Sequence, residues 1–256
     1  MLVNVPSCFK KLIFRTENFF LKRIDVLITV GEILREAFIS RGAKHTCVVG
    51  NWKDPDKFIF PKEILEREKT SLKIPNGQLI VSFIANLGME RQLPQLINAV
   101  KDGREVFLIV GGDGPCKGII EEAARKYSNI IFLGYVHPSK VPLYTALSDI
   151  IFYGFDSENP NSRFSAPNKL FEALAAGKAI VTGDFGEIGK IVREAKCGVI
   201  LKKFTATEIR ESFLGLGSDG LRLNQLKKNA LMCALQKYNW QNAKTTLLQE
   251  YRCLLQ

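Results

Sequence analysis

The stretch Ser165-Ala166-Pro167-Asn168-Lys169-Leu170-Phe171-Glu172-Ala173-Leu174-Ala175-Ala176-Gly177 concentrates residues that could do chemistry. Its types and spacing predict a short helix over 167–176, with Ser165 or Ala166 at the cap position. Pro167 lies where a missing N–H costs least, and Gly177 where a helix closes in the left-handed conformation glycine reaches cheaply. Free N–H groups at such a helix start carry partial positive charge and suit an anion such as phosphate. Glu172, one turn further in, is placed to accept hydrogen bonds from sugar hydroxyls. Leu170, Phe171, Leu174 and Ala175 make one apolar stripe, and Lys169 and Glu172 share another side. On these residues alone, the simpler account of Lys169 and Glu172 is a solvated ion pair on a surface helix.

Weaker signals lie elsewhere. Asn86-Leu87-Gly88-Met89-Glu90-Arg91 follows an apolar run and puts Arg91 at the start of a helix, against its dipole. An anionic ligand would offset that cost; the alternative is an exposed arginine paired with Glu90 or Asp102. Gly111-Gly112-Asp113-Gly114-Pro115 joins an apolar run to a helix as a phosphate loop would. The next glycine is Gly118, so the G-x-G-x-x-G spacing fails, and no Walker lysine follows. The segment therefore reads as a tight packing turn, with Asp113 capping the helix. Residues 154–165 form a long polar loop in which Asp156 and Glu158 are candidate paired carboxylates without fixed roles. His45 and His137 read as loop histidines, and neither a metal-ligand cluster nor a Ser-His-Asp arrangement is visible.

The elements that must hold these residues alternate regularly. Apolar runs at 79–85, 106–110, 130–133, 150–153, 179–182 and 198–201 predict strands. Helices are predicted near 92–101, 115–127, 139–147, 167–176, 187–195 and 205–216. Continuous apolar runs mean strands buried on both faces, hence an α/β fold with a doubly wound, Rossmann-like parallel sheet. Binding is then expected beyond the carboxyl ends of the strands, where the segments 86–91, 111–114, 134–137 and 154–165 fall. Upstream, the sequence predicts a basic, aromatic helix within 1–23, a strand at 24–30, a helix at 32–41, a strand at 46–49 and a charged helix around 61–73. Two helices, 218–235 and 239–254, end the chain.

At 256 residues the chain can bury a sizeable core. Its 36 Lys and Arg against 26 Asp and Glu give a net charge of +10, which suits an anionic partner. The basic residues are scattered without an aromatic-interleaved stripe, which argues against nucleic acid. Cysteines 8, 47, 116, 197, 233 and 253 form no C-x-x-C pair and read as reduced thiols of a cytosolic protein. No signal-peptide layout or membrane-spanning run is present, although the basic, aromatic 1–23 segment admits peripheral contact with an anionic membrane. A helix from a larger domain explains that segment equally well.

Several motifs, in order, resemble the C-terminal half of the nucleotide-sugar-dependent glycosyltransferase family 4, which has the GT-B fold. They are Val49-Gly50-Asn51 with Asp56, Ile84-Ala85-Asn86-Leu87-Gly88 with Arg91, Ile109 to Pro115, Ile131 to Val136, and Pro167 to Lys178. Tyr238-Asn239-Trp240 and the helix after it are similar to that family's closing helix. The resemblance covers roughly residues 24–256. It implies a UDP- or GDP-sugar donor, with no cofactor and no metal. Arg91 and Glu172 would be the catalytic pair, Arg91 on the diphosphate and Glu172 on the ribose. Gly134, Tyr135 and Val136 would lie along the base. Ser165 and Asn168 would turn N–H groups to the phosphates with Lys169 beside them, and Asn86 and Gly88 would complete the donor site.

The same resemblance implies retaining sugar transfer to a glycan or lipid-linked acceptor in cell-surface polysaccharide or glycolipid synthesis. It places the protein in the cytoplasm, at the inner face of the membrane. Residues 1–49 would be a remnant of the acceptor domain, 50–237 the nucleotide-sugar-binding domain, and 238–256 a helix packing back toward the N-terminal part. Because the acceptor domain should precede residue 24, a separate N-terminal chain is an expected partner. The sequence departs from the family at Asn86, where arginine is usual although an Asn-Leu-Gly version resembles a subgroup. It departs again at Phe164, where the E-x7-E pattern places the glutamate that addresses the sugar. These departures raise the alternative of a non-catalytic nucleotide-sugar-binding or scaffolding module.

Overall fold

An apolar run such as Val106-Phe107-Leu108-Ile109-Val110 can face water on neither side, so it must pair laterally and take helices on both faces. The computed structural model, which describes residues 6–156, 159 and 161–255, has that arrangement. The chain opens with α1 (Ser7–Leu21), β1 (Leu27–Thr29), α2 (Glu32–Ile39) and β2 (Thr46–Val48), the two strands pairing in parallel. A 3-10 turn at Pro55–Phe58 and α3 (Lys62–Ser71) follow. Next come β3 (Leu79–Ile84), α4 (Leu93–Val100), β4 (Val106–Gly111), α5 (Lys117–Lys126), β5 (Ile130–Phe132) and α6 (Val141–Leu147). The second half holds β6 (Ile150–Tyr153), α7 (Asn168–Ala175), β7 (Ala179–Gly183), α8 (Gly186–Ala195), β8 (Gly198–Leu201) and α9 (Ala206–Ser218). Finally, α10 (Gly220–Gln236) and α11 (Trp240–Leu254) close the chain.

The main sheet runs β5-β4-β3-β6-β7-β8, every neighbouring pair parallel, so the winding direction reverses between β3 and β6. One core layer joins Phe83, Leu108 and Phe152 to Leu96, Ile120 and Phe213. The opposite layer joins Ile151 and Ile180 to Leu170, Phe171, Ile188 and Ala230. The six predicted strands of this sheet are all present; the strand expected at 24–30 is confined to Leu27–Thr29. Among the described residues, no helix is long and apolar enough to cross a membrane.

Contacts tie the first unit to the body. Buried Glu187 of α8 accepts the N–H groups of Glu32 and Ile33 at 3.2 and 3.1 Å, which caps α2 with a carboxylate from a distant element. His45, expected to be a loop histidine, lies 2.8 Å from Glu250 of α11. The Trp240 N–H at the start of α11 donates to the Lys53 carbonyl at 3.1 Å. On α1, Phe9, Leu12, Ile13, Phe19 and Phe20 are exposed.

The glycine turn after β4 is a packing device, as expected. Gly112 N–H donates to the Gly134 carbonyl at 2.8 Å, Leu87 N–H to the Asp113 carbonyl at 2.9 Å, and Cys116 N–H to the Leu87 carbonyl at 2.9 Å. Three strand-to-helix connections are thereby laced together. Asp113 does not cap α5, contrary to expectation. Its carboxylate accepts the neighbouring Gly114 N–H at 2.9 Å, and the cap position belongs to Cys116, without a side-chain bond.

Gly112 has φ +140°, and a Cβ there would stand 1.9 Å from the Ala85 carbonyl oxygen. Gly112→Ala is therefore expected to lower unfolding stability by about 2–4 kcal/mol, read from urea denaturation. At the amino end of the sheet, burial and the neighbouring Lys227 push the Lys178 amine down to about 8, with Asp149 opposing. Between that value and the ordinary lysine value the unfolded chain holds a proton the folded chain has lost, so stability rises with pH across that window. Lys178→Met should raise stability at pH 7, with an advantage over the parent that shrinks as pH climbs from about 8 to about 10.5.

Candidate functional site

The start of α7 lies beyond the carboxyl end of β6, after a loop anchored by a 3-10 turn at Ser162–Phe164. Pro167, rather than Ser165 or Ala166, occupies the cap position; its φ of −72° and ψ of 144° enter the helix without a side-chain cap. The Ser165 N–H donates to the Ser162 carbonyl at 3.1 Å and the Ser165 carbonyl accepts from Glu187 N–H at 3.0 Å. Ser165 therefore braces the loop and has no N–H to turn toward phosphates. Asn168 opens the helix, where backbone N–H groups lack ladder partners, and its side-chain oxygen accepts from Lys53 Nζ at 2.8 Å.

Lys169 and Glu172 are not a solvated pair. Lys169 is 6% exposed, and its ammonium lies 3.3 Å from the Glu172 carboxylate, which is 16% exposed. Burial pushes the Lys169 amine below its ordinary value, while Glu172 pulls it back up. The predicted apolar stripe of Leu170, Phe171, Leu174 and Ala175 is buried as expected.

Glu172 faces a cavity of about 540 Å³ whose walls include Tyr135 and Val136, so three of the expected site residues meet there. Gly134, at φ +66°, turns the chain after β5, and Tyr135 stands 71% exposed. Val136 packs so close to Gly111 that a Cβ there would meet it at 2.5 Å. Sequence reasoning missed the opposite wall: Trp52, Lys53 and Lys57 from the junction before α3, and Trp240 from α11. The signal available was the tryptophan count, since both tryptophans of the chain line this cavity.

Arg91, Asn86 and Gly88 do not line that cavity. Arg91 ends a 3-10 turn at Met89–Arg91 rather than beginning α4, which Gln92 enters from the left-handed region at φ 57°. Its guanidinium is partly buried: Nη1 donates to the Tyr153 hydroxyl at 2.6 Å, and Nε lies 3.2 Å from Glu90. Glu90, not Asp102, is its acidic neighbour. Gly88 leaves room for that carboxylate, since a Cβ would meet it at 2.5 Å. Asn86 is exposed beyond β3. Asp156 N–H donates to the Glu90 carbonyl at 2.9 Å, while Glu158, its expected carboxylate partner, lies outside the described residues. Nδ1 of His137 contacts Ser139 Oγ at 2.8 Å, and no acidic, histidine or cysteine cluster able to hold a metal occurs among the described residues.

Fold and site together define a doubly wound α/β domain whose ligand face lies beyond the strand ends, on either side of the winding reversal. The model of the glycosyl transferases group 1 family matches residues 64–231, more than half of the chain, and the chain belongs to that family. It is similar to spore coat protein SA of Bacillus subtilis (strain 168), with 24% identity over 190 residues, 69% of this chain and 49% of that protein. It is also similar to the alpha-D-kanosaminyltransferase of Streptomyces kanamyceticus, with 19% identity over 68% of this chain and 45% of the relative. The chain thus spans about half the length of these relatives. Among solved structures, Anabaena Alr3699/HepE in complex with UDP shares the fold, with TM-score 0.79 and 17% identity over 98% of this chain and 70% of that one.

Replacing Glu172 by glutamine strands the Lys169 ammonium in an apolar setting. Glu172→Gln should lower unfolding stability by about 2–4 kcal/mol, and adding Lys169→Met should recover most of the loss. Denaturant midpoints of the single and double variants check both expectations.

Proposed function

We propose that this chain is the donor-binding half of a family 4, GT-B glycosyltransferase that takes a UDP- or GDP-sugar. The observation that carries the reading is the meeting of Glu172 with Tyr135 and Val136 around one cavity beyond the strand ends. Such a cavity offers a carboxylate to ribose hydroxyls and an exposed aromatic ring to a base. The N–H groups at the start of α7, Lys53 and Arg91 supply positive charge for a diphosphate. The UDP held by the structurally similar HepE supports the same class of ligand.

In this reading Arg91 and the α7 start stabilise the leaving diphosphate, and transfer proceeds with retention, without a metal. Asn86, Gly88, Gly134, Asn168 and Lys169 form the surrounding donor site. The acceptor is a glycan or lipid-linked sugar of the cell surface, met in the cytoplasm at the inner face of the membrane. The division into 1–49, 50–237 and 238–256 is supported by the His45–Glu250 contact, which returns α11 to the first unit. An acceptor domain facing this half across the crevice would complete the enzyme. Phe164, standing where the family has a sugar-addressing glutamate, favours a second reading: a module that binds nucleotide sugar without turnover.

Calorimetric titration with UDP and GDP, followed in parallel by tryptophan fluorescence, tests the donor site. One nucleotide should saturate and perturb the emission of Trp52 and Trp240. Glu172→Gln, kept at a temperature where it stays folded, should weaken that nucleotide roughly tenfold. Absence of saturable binding to both nucleotides would sink the reading. Turnover of a nucleotide sugar with an N-terminal partner then separates the enzyme from the module.

A further inference from the structure

The reversal of winding puts the carboxyl ends of β3 and β6 side by side, and the connections leaving them are stitched together. Asp156 N–H reaches the Glu90 carbonyl at 2.9 Å, and Gly154 passes so close that a Cβ would stand 2.7 Å from the Arg91 carbonyl oxygen. Arg91 lies in that seam on an aromatic floor. Its guanidinium carbon is 4.6 Å from the Phe155 ring centroid and 5.4 Å from that of Tyr153. The Tyr153 and Phe155 rings are parallel within 2° at 6.3 Å, and Phe185 leans on both. All three rings are buried, so the Tyr153 hydroxyl is held by packing before it accepts from Arg91.

We infer that Tyr153 is a positioning residue for Arg91, fixing its guanidinium for an incoming diphosphate while leaving its charge intact. This inference rests on the donor-site reading above. A carboxylate in place of the hydroxyl would hold the arginine as firmly but would compete with the phosphates for its charge. A neutral phenol oxygen orients Nη1 without adding a second carboxylate to Glu90, which already lies 3.2 Å from Nε, and the ring faces add attraction that desolvation strengthens. Nη2 bonds no protein acceptor among the described residues, which leaves that edge of the fork for a ligand. Buried Nε also lacks a hydrogen bond, despite Glu90 at 3.2 Å, so among the described residues the Tyr153 hydroxyl is the acceptor that orients the guanidinium.

Tyr153→Phe keeps the ring and removes only the hydroxyl. Calorimetry on this variant compares the preferred nucleoside diphosphate, UDP or GDP, with the corresponding nucleoside. The diphosphate should weaken roughly fivefold and the nucleoside should not change. In an Arg91→Ala background the same substitution should have no further effect. Unchanged diphosphate affinity, equal weakening of the nucleoside, or an effect that persists without Arg91 would each overturn the inference. If the parent chain binds neither nucleotide, the donor-site reading fails, and NMR relaxation at the Arg91 Nε–Hε group decides positioning separately. Order lost in Tyr153→Phe would support it; equal order in parent and variant would overturn it.

Discussion

Parallel pairing of β3 with β6 is the constraint on which the rest of the molecule depends. Two halves of the sheet wind away from that pair in opposite directions, so no crossover helix covers the crevice at its carboxyl end. Three segments of the candidate site border it: the turn bearing Arg91 after β3, the loop and helix bearing Glu172 after β6, and the Gly134 turn held to Gly112. Hydrogen bonds lace the glycine turn to the β3 and β5 connections on this rim.

A second consequence concerns charge. Lys169 and Glu172 sit within one turn of α7, both largely buried, and an ion pair in such a place is a poor source of stability. What it provides is a carboxylate held in one orientation at the cavity wall. Lys53 adds a cation on the cavity side through Asn168, and the start of α11 is joined to Lys53 by a backbone bond. The closing helix is thus continuous with the site and is more than a cover for the sheet.

The sheet was legible in the sequence because burial on both faces leaves uninterrupted apolar runs, and all six of its strands fall where those runs lie. The α7 stripe was legible because a helix with one buried face repeats its apolar residues at helical spacing. What could not be read was anything set by distant elements. Nothing local marks Lys169 as buried; its lysine and glutamate spacing is that of an exposed pair. Glu187 caps a helix 154 and 155 residues away in the chain, and Trp240 meets Tyr135 around a cavity only after the last helix folds back. Asp113 was misassigned because a cap and a local Asx contact use the same residue type, and the closeness of Leu87 to the glycine turn decides between them.

The departures at Asn86 and Phe164 gain physical meaning from this geometry. Asn86 is exposed and neutral where the resembling family usually has a cation, so positive charge in this rim rests on Arg91, Lys53 and the α7 start. Phe164 is partly buried, and Arg163 lies with its guanidinium carbon 5.7 Å from the Phe164 ring centroid. A phenyl ring there offers no acceptor to a sugar hydroxyl, whereas the groups suited to ribose and diphosphate remain in place. On the proposed reading, the site is better furnished for the nucleotide end of a donor than for its sugar.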